Sequence, residues 1–67
     1  MVQKTFRNEL GNKITIKIKK TKDRVKDLKF DAVNIQIIGP TSMSENIITR
    51  QEAEVLYQIL NRFLKTL

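Results

Sequence analysis

The sequence predicts an α+β domain: an antiparallel sheet of three or four strands, followed by one C-terminal helix packed on one face. Three observations carry this. Ile14, Ile16 and Ile18 alternate strictly with Thr15, Lys17 and Lys19, the period of two that a half-buried strand requires. Val33, Ile35 and Ile37 alternate in the same way with Asn34 and Gln36. Thr49-Arg50-Gln51-Glu52 then opens an apolar segment with the signature of a capped helix start.

The elements follow in order. Val2, Phe6 and Leu10 alternate loosely with polar residues, and Gly11-Asn12 offers two residues that tolerate positive φ. A hairpin pairing about 2–9 with 13–20 is expected, weakened by Lys4 and Asn8 on its apolar face. Residues 21–29 are charged, with Val25 and Leu28 as their only large apolar side chains; they read as a long loop or as a continuation of the second strand. Strand character resumes over 30–38 and stops at Gly39-Pro40, because proline lacks the N–H a ladder needs. The hydroxyl run Thr41-Ser42-Met43-Ser44 reads as turn chemistry, and Ile47-Ile48 as a short edge strand or a core plug.

The helix is expected from Arg50 to about Lys65. Thr49 and Glu52 are placed as a reciprocal capping box, with Ile48 and Ala53 at the positions of a hydrophobic staple. At 100° per residue its apolar side chains cover roughly 200° of the helix surface, where one core-facing stripe needs little more than ~100°. Val55, Ile59 and Phe63 form the surplus edge of that arc. They are the expected self-association surface of a homodimer, unless the 21–29 segment folds back over them.

The chain has 67 residues, no cysteine and no histidine. That length supports one domain, 1–67, and a domain so small buries only ~60% of the surface of its unfolded chain. Disulfides and thiolate metal sites are excluded, and the commonest general base and metal ligand is missing. Ser42 and Ser44 have no base near them in sequence, and no glycine-rich phosphate loop is present. The expectation is therefore a protein that is not an enzyme, with no catalytic residues, no metal and no cofactor. No apolar run approaches the ~20 residues of a membrane span, and no targeting segment is legible. A soluble, cytoplasmic protein is expected.

The net charge is +6. All of it can be assigned to residues 13–29, where eight basic side chains stand against Asp23 and Asp27, while the other segments cancel. A field so confined gathers anions. Lys17 and Lys19 on the strand's polar face, Lys20, Lys22, Arg24 and Lys26 in the following segment, and Arg7 on the neighbouring strand are the candidate nucleic-acid-binding residues. They would meet phosphates without reading sequence. The alternative use of such lysines is to keep a sheet edge from pairing with other chains. Phe6 and Phe30 are the aromatics outside the helix, and both are expected on core faces, which argues against base stacking on a single strand. The competing function class is a homodimeric protein-interaction module, such as a phage-type modulator of a host protein.

Strands followed by Asn46-Ile47-Ile48-Thr49-Arg50-Gln51-Glu52-Ala53 opening an apolar helix resemble the single-strand-binding family of positive cofactor four. The resemblance covers Ile47 to Leu67 and the general order of elements. It implies a twisted antiparallel sheet, a hydroxyl-capped C-terminal helix, a homodimer built with the helices, and binding to single-stranded DNA. That family's sheet carries aromatic and basic groups together, whereas the polar face here is expected to carry the basic ones alone. The composition also resembles small proteins of low-GC Gram-positive bacteria and their phages.

Overall fold

A computed structural model describes residues 1–25 and 28–67, with side-chain surroundings described outside 23–29. The elements are β1 (Val2–Arg7), β2 (Lys13–Val25), β3 (Leu28–Ile38), β4 (Met43–Thr49) and α1 (Arg50–Leu64). The four strands form one antiparallel meander in the order β1-β2-β3-β4, so the expected α+β arrangement is observed with four strands.

The turns use the chemistry that the sequence offers. Between β1 and β2, Asn8 Oδ1 accepts from the backbone N–H groups of Leu10 and Asn12, each at 3.0 Å. Gly11 adopts φ +80° there, a conformation that a side chain would strain. Between β3 and β4, the Gly39 N–H donates to Ser42 O at 2.7 Å, so Thr41 and Ser42 are turn residues, while Met43 and Ser44 already belong to β4. The pair Ile47-Ile48 closes that edge strand.

The charged segment after Thr21 is strand, not loop. β2 continues to Val25 and β3 begins at Leu28, with unbroken register from Thr15↔Ile38 to Val25↔Leu28. Alternating side chains on a continuous ladder cost nothing extra for being charged when both faces meet water. The ribbon outruns its neighbours: the last β1 pair is Val2↔Ile18, and the last β4 pair is Ala32↔Thr49. From Lys22↔Asp31 onward, β2 and β3 pair only with each other. Lys22 Nζ donates to Asp31 Oδ1 across this ribbon at 2.5 Å, and the ammonium beside it holds the Asp31 carboxyl below the ordinary carboxylate range.

Residues directly opposite on an antiparallel ladder share a face. One face therefore carries Val2 and Phe6 from β1, Ile14, Ile16 and Ile18 from β2, Val33, Ile35 and Ile37 from β3, and Ile48 from β4. The other carries Gln3, Thr5, Thr15, Lys17, Lys19, Asn34 and Gln36, together with the apolar Phe30, Ala32, Ile38 and Ile47. Burial is slight on both. Among the described residues, only Ala32 (2% exposed) and Asn34 (8%) are buried, and no large side chain is fully enclosed.

The helix begins as expected. Thr49, in extended conformation, takes the Glu52 N–H on its hydroxyl at 3.1 Å, and the Glu52 carboxylate takes the Thr49 N–H at 2.8 Å. These two bonds hold the Glu52 carboxyl below its ordinary range. Ile48 and Ala53, the staple positions, are both half-buried. What differs is the rest of the helix: it touches only β3 and β4 of its own chain, and none of its residues is buried. The reason is local. β4 ends at Thr49 and α1 starts at Arg50, so no loop is present to turn the helix back across the sheet.

Thr49→Ala should lower stability by about 1 kcal/mol, as loss of a hydroxyl cap typically does, measured by urea denaturation. Because the folded-state affinity of Glu52 for a proton is depressed, its share of the cap is complete at neutral pH. That share is lost as pH falls through the carboxylate range. Thr49→Ala should accordingly flatten the acid limb of the stability curve; an unchanged limb would show that the cap is not what acid removes.

Candidate nucleic-acid interface

The basic residues divide between the two faces of the sheet. Lys17 pairs with Gln3 and Gln36, and Lys19 with Asn34, all on the polar face. Lys20 pairs with Val33 and Lys22 with Asp31, which places both on the isoleucine face. A loop could have gathered all four lysines to one side; a ladder cannot, because successive side chains point oppositely. Arg24 belongs to β2, opposite Lys29, and its side chain lies outside the described residues. Lys26 lies wholly outside them.

Arg7 is on the polar face opposite Lys13, but its guanidinium is engaged: Nη1 donates to Gly11 O at 2.8 Å. It closes the β1–β2 turn as much as it extends the patch. Lys17 and Lys19 are unencumbered by ion pairs among the described residues. Lys17 is half-buried between its neighbours, and Lys19 is exposed. Around them the face is held by side-chain hydrogen bonds. Thr5 and Thr15 share a hydroxyl hydrogen bond of 2.9 Å, and the Gln36 side-chain amide donates to Glu45 on β4. Asn34 Oδ1 is buried and finds no hydrogen-bond partner among the described residues.

Phe30 is the residue that the sequence reading misplaced. It pairs with Asp23, an odd position of β2, and so shares the face of Lys17, Lys19 and Thr21 instead of the isoleucine face. Phe30 is half-buried. Counting back from Val33 gives the same answer, since an odd step along an unbroken strand reverses the face. The expected strand over 30–38 already contains that parity. Phe6, opposite Ile14, is on the isoleucine face as expected. The polar face therefore combines basic side chains with one aromatic ring, at the root of the protruding ribbon.

The expected self-association residues lie open on α1. Val55 is 47% exposed, Ile59 60% and Phe63 57%. Leu56, Leu60 and Leu64 beside them are exposed as well. The 21–29 segment, which was expected either to cover this stripe or to leave it to a second molecule, is drawn into the β2–β3 ribbon at its described positions.

Among the described residues there is no cluster of three or more metal-ligating side chains, and no helix is long and apolar enough to cross a membrane. No protein-family model, curated protein or solved structure matches the chain.

Proposed function

We propose that this chain is a non-enzymatic nucleic-acid-binding protein that grips the phosphate backbone with the polar face of β2 and β3 and their ribbon. The observation that carries the reading is the charge borne by β2. Lys13, Lys17, Lys19 and Lys20 supply +4 within the part of the strand that has neighbours, while the ribbon beyond Lys22↔Asp31, which outruns both edge strands, is close to neutral. Lys17 and Lys19 supply point charges for phosphates. Phe30 on the same face supplies a ring on which a base can stack, the usual second ingredient of single-strand binding. The resemblance to the positive cofactor four family supports the same reading, as does an aromatic, Phe30, on the face of Lys17 and Lys19.

Backbone contacts release counterions, so affinity should fall steeply with salt and vary little with sequence. Neutralising about four phosphates on a single strand gives a log–log slope of ~ −3, and on duplex nearer −4. A titration of short single-stranded and duplex oligonucleotides across salt concentrations tests this. Single strands should bind more tightly than duplex, because a ring can reach only unpaired bases. Failure of every oligonucleotide to bind at low salt would reduce the lysines to edge protection and solubility, and would move the reading to a protein partner.

A further inference from the structure

We infer that the cleft between the start of α1 and the root of the β2–β3 ribbon is an anion site that takes the phosphate group of a phosphorylated small molecule. The inference goes beyond the nucleic-acid reading and does not depend on it, since it leaves Lys17, Lys19 and Phe30 aside.

The cleft lies where the sheet narrows. β1 last pairs with β2 at Ile18, and β4 last pairs with β3 at Ala32↔Thr49. The ladder continues there through Lys20↔Val33, Thr21↔Ala32 and Lys22↔Asp31. The first and third of these rungs place their side chains on the isoleucine face. Because α1 starts at the residue after Thr49, Arg50 is set beside them. The three rungs and Arg50 line a cleft of about 620 Å³, within the ~300–1,000 Å³ of small-molecule sites.

Its charge favours an anion. Lys20, Lys22 and Arg50 share the lining with one acid, Asp31. All three cations act on that acid: the Lys22 ammonium, then Arg50 and Lys20, hold its carboxyl below the ordinary range. Lys22 uses one N–H on Asp31 at 2.5 Å, and Arg50 gives Nε to Glu54 at 3.2 Å. Among the described residues, the rest of the Lys22 ammonium, the terminal nitrogens of Arg50 and the whole Lys20 ammonium have no acceptor. Counting Glu54, three cations stand against two carboxylates.

A phosphate monoester suits this arrangement better than a second carboxylate. It brings three acceptor oxygens, one for each cation, and so can bridge β2 and α1. The cleft is larger than a bare phosphate fills. Val33, half-buried, and Ala32, buried, make part of its lining apolar, which suits the organic body of an ester. The site also gives a use to Lys20 and Lys22, which parity removes from the polar face.

The experiment is an NMR titration of the isotope-labelled protein with adenosine monophosphate, glycerol phosphate, inorganic phosphate and adenosine, each to ~10 mM. The backbone amides of Thr21, Ala32, Val33 and Arg50 should shift saturably with both esters, more weakly with inorganic phosphate, and not with adenosine. Either ester supports the proposal, and the tighter of the two shows whether the body is aromatic or polyol. Lys20→Gln with Arg50→Gln should weaken the esters about tenfold or more, with the far-UV circular dichroism of the wild type retained. Shifts confined to Lys17, Lys19 and their neighbours overturn the proposal, as does inorganic phosphate binding as tightly as both esters. Absence of saturation overturns it too. The wild-type map decides the location even where the double variant fails to fold. Oligonucleotides that fail to bind leave this result untouched, so the two readings fail separately.

Discussion

Ile59→Glu is expected to abolish cooperative unfolding at micromolar concentration, leaving a chain with no folded baseline in urea. Ile59 is 60% exposed in the single chain. On the expectation that a second chain covers its stripe, a carboxylate carried into that contact forfeits its hydration and finds no partner there, which costs several kcal/mol. Small domains have only ~5–15 kcal/mol in total, and in a dimer the substitution enters the contact twice. The control is Gln58→Glu, one residue away on the polar side of the helix. It adds the same charge, four residues from Arg62, and should change stability by no more than ~0.5 kcal/mol. Far-UV circular dichroism through a urea titration separates the two. If Ile59→Glu unfolds at the wild-type midpoint, the stripe is an ordinary wet surface and no second chain covers it.

Self-association through the helix stripe, which the width of the apolar arc predicts, would also make stability depend on concentration. A folded state assembled from two chains gains from mass action what a monomer cannot. The wild-type thermal midpoint should rise as protein concentration rises, while a monomer's would stay fixed.

Much of the architecture was legible because local signals agreed with one another. The isoleucine alternation over 14–18, the second alternation over 33–37 and the Thr49–Glu52 capping box each involve residues close in sequence, and all three appear where they were expected. The helix arc was legible too, and its excess width correctly pointed to apolar surface that the single chain leaves uncovered. The segment 21–25 was harder. Charged residues carry no burial signal, so nothing in Lys22-Asp23-Arg24 distinguishes a solvated ribbon from a loop; the pairing of β2 with β3 decides it, and pairing is non-local. That single ambiguity spread to the site. With 21–29 taken as possible loop, Lys22 could be grouped with Lys17 and Lys19; Lys20, inside the expected strand 13–20, and Phe30, inside the expected strand 30–38, were already placed by parity. Once the register is continuous, parity alone places the two lysines on one face and the phenylalanine on the other. The same arithmetic gathers the isoleucines of β2 and β3 on one face and divides the lysines between the two.

The last prediction uses that separation. Lys17→Gln with Lys19→Gln should weaken binding to every oligonucleotide and lower the salt slope by ~1.4 on single strands, two phosphate contacts at ~0.7 each. Lys20→Gln with Lys22→Gln removes the same charge from the opposite face, where Lys22 is already tied to Asp31. Its effect on the slope should be smaller. Phe30→Ala should behave differently from both. It should leave the slope unchanged, weaken single strands by ~1–3 kcal/mol through the lost stacking partner, and leave duplex affinity almost where it was. Fluorescence anisotropy at several salt concentrations reads all three. Equal losses from the two lysine pairs would mean that charge acts as an undirected field and that the polar face is no interface. Equal losses of single-strand and duplex affinity in Phe30→Ala would mean that the ring supports the ribbon's shape and stacks on nothing.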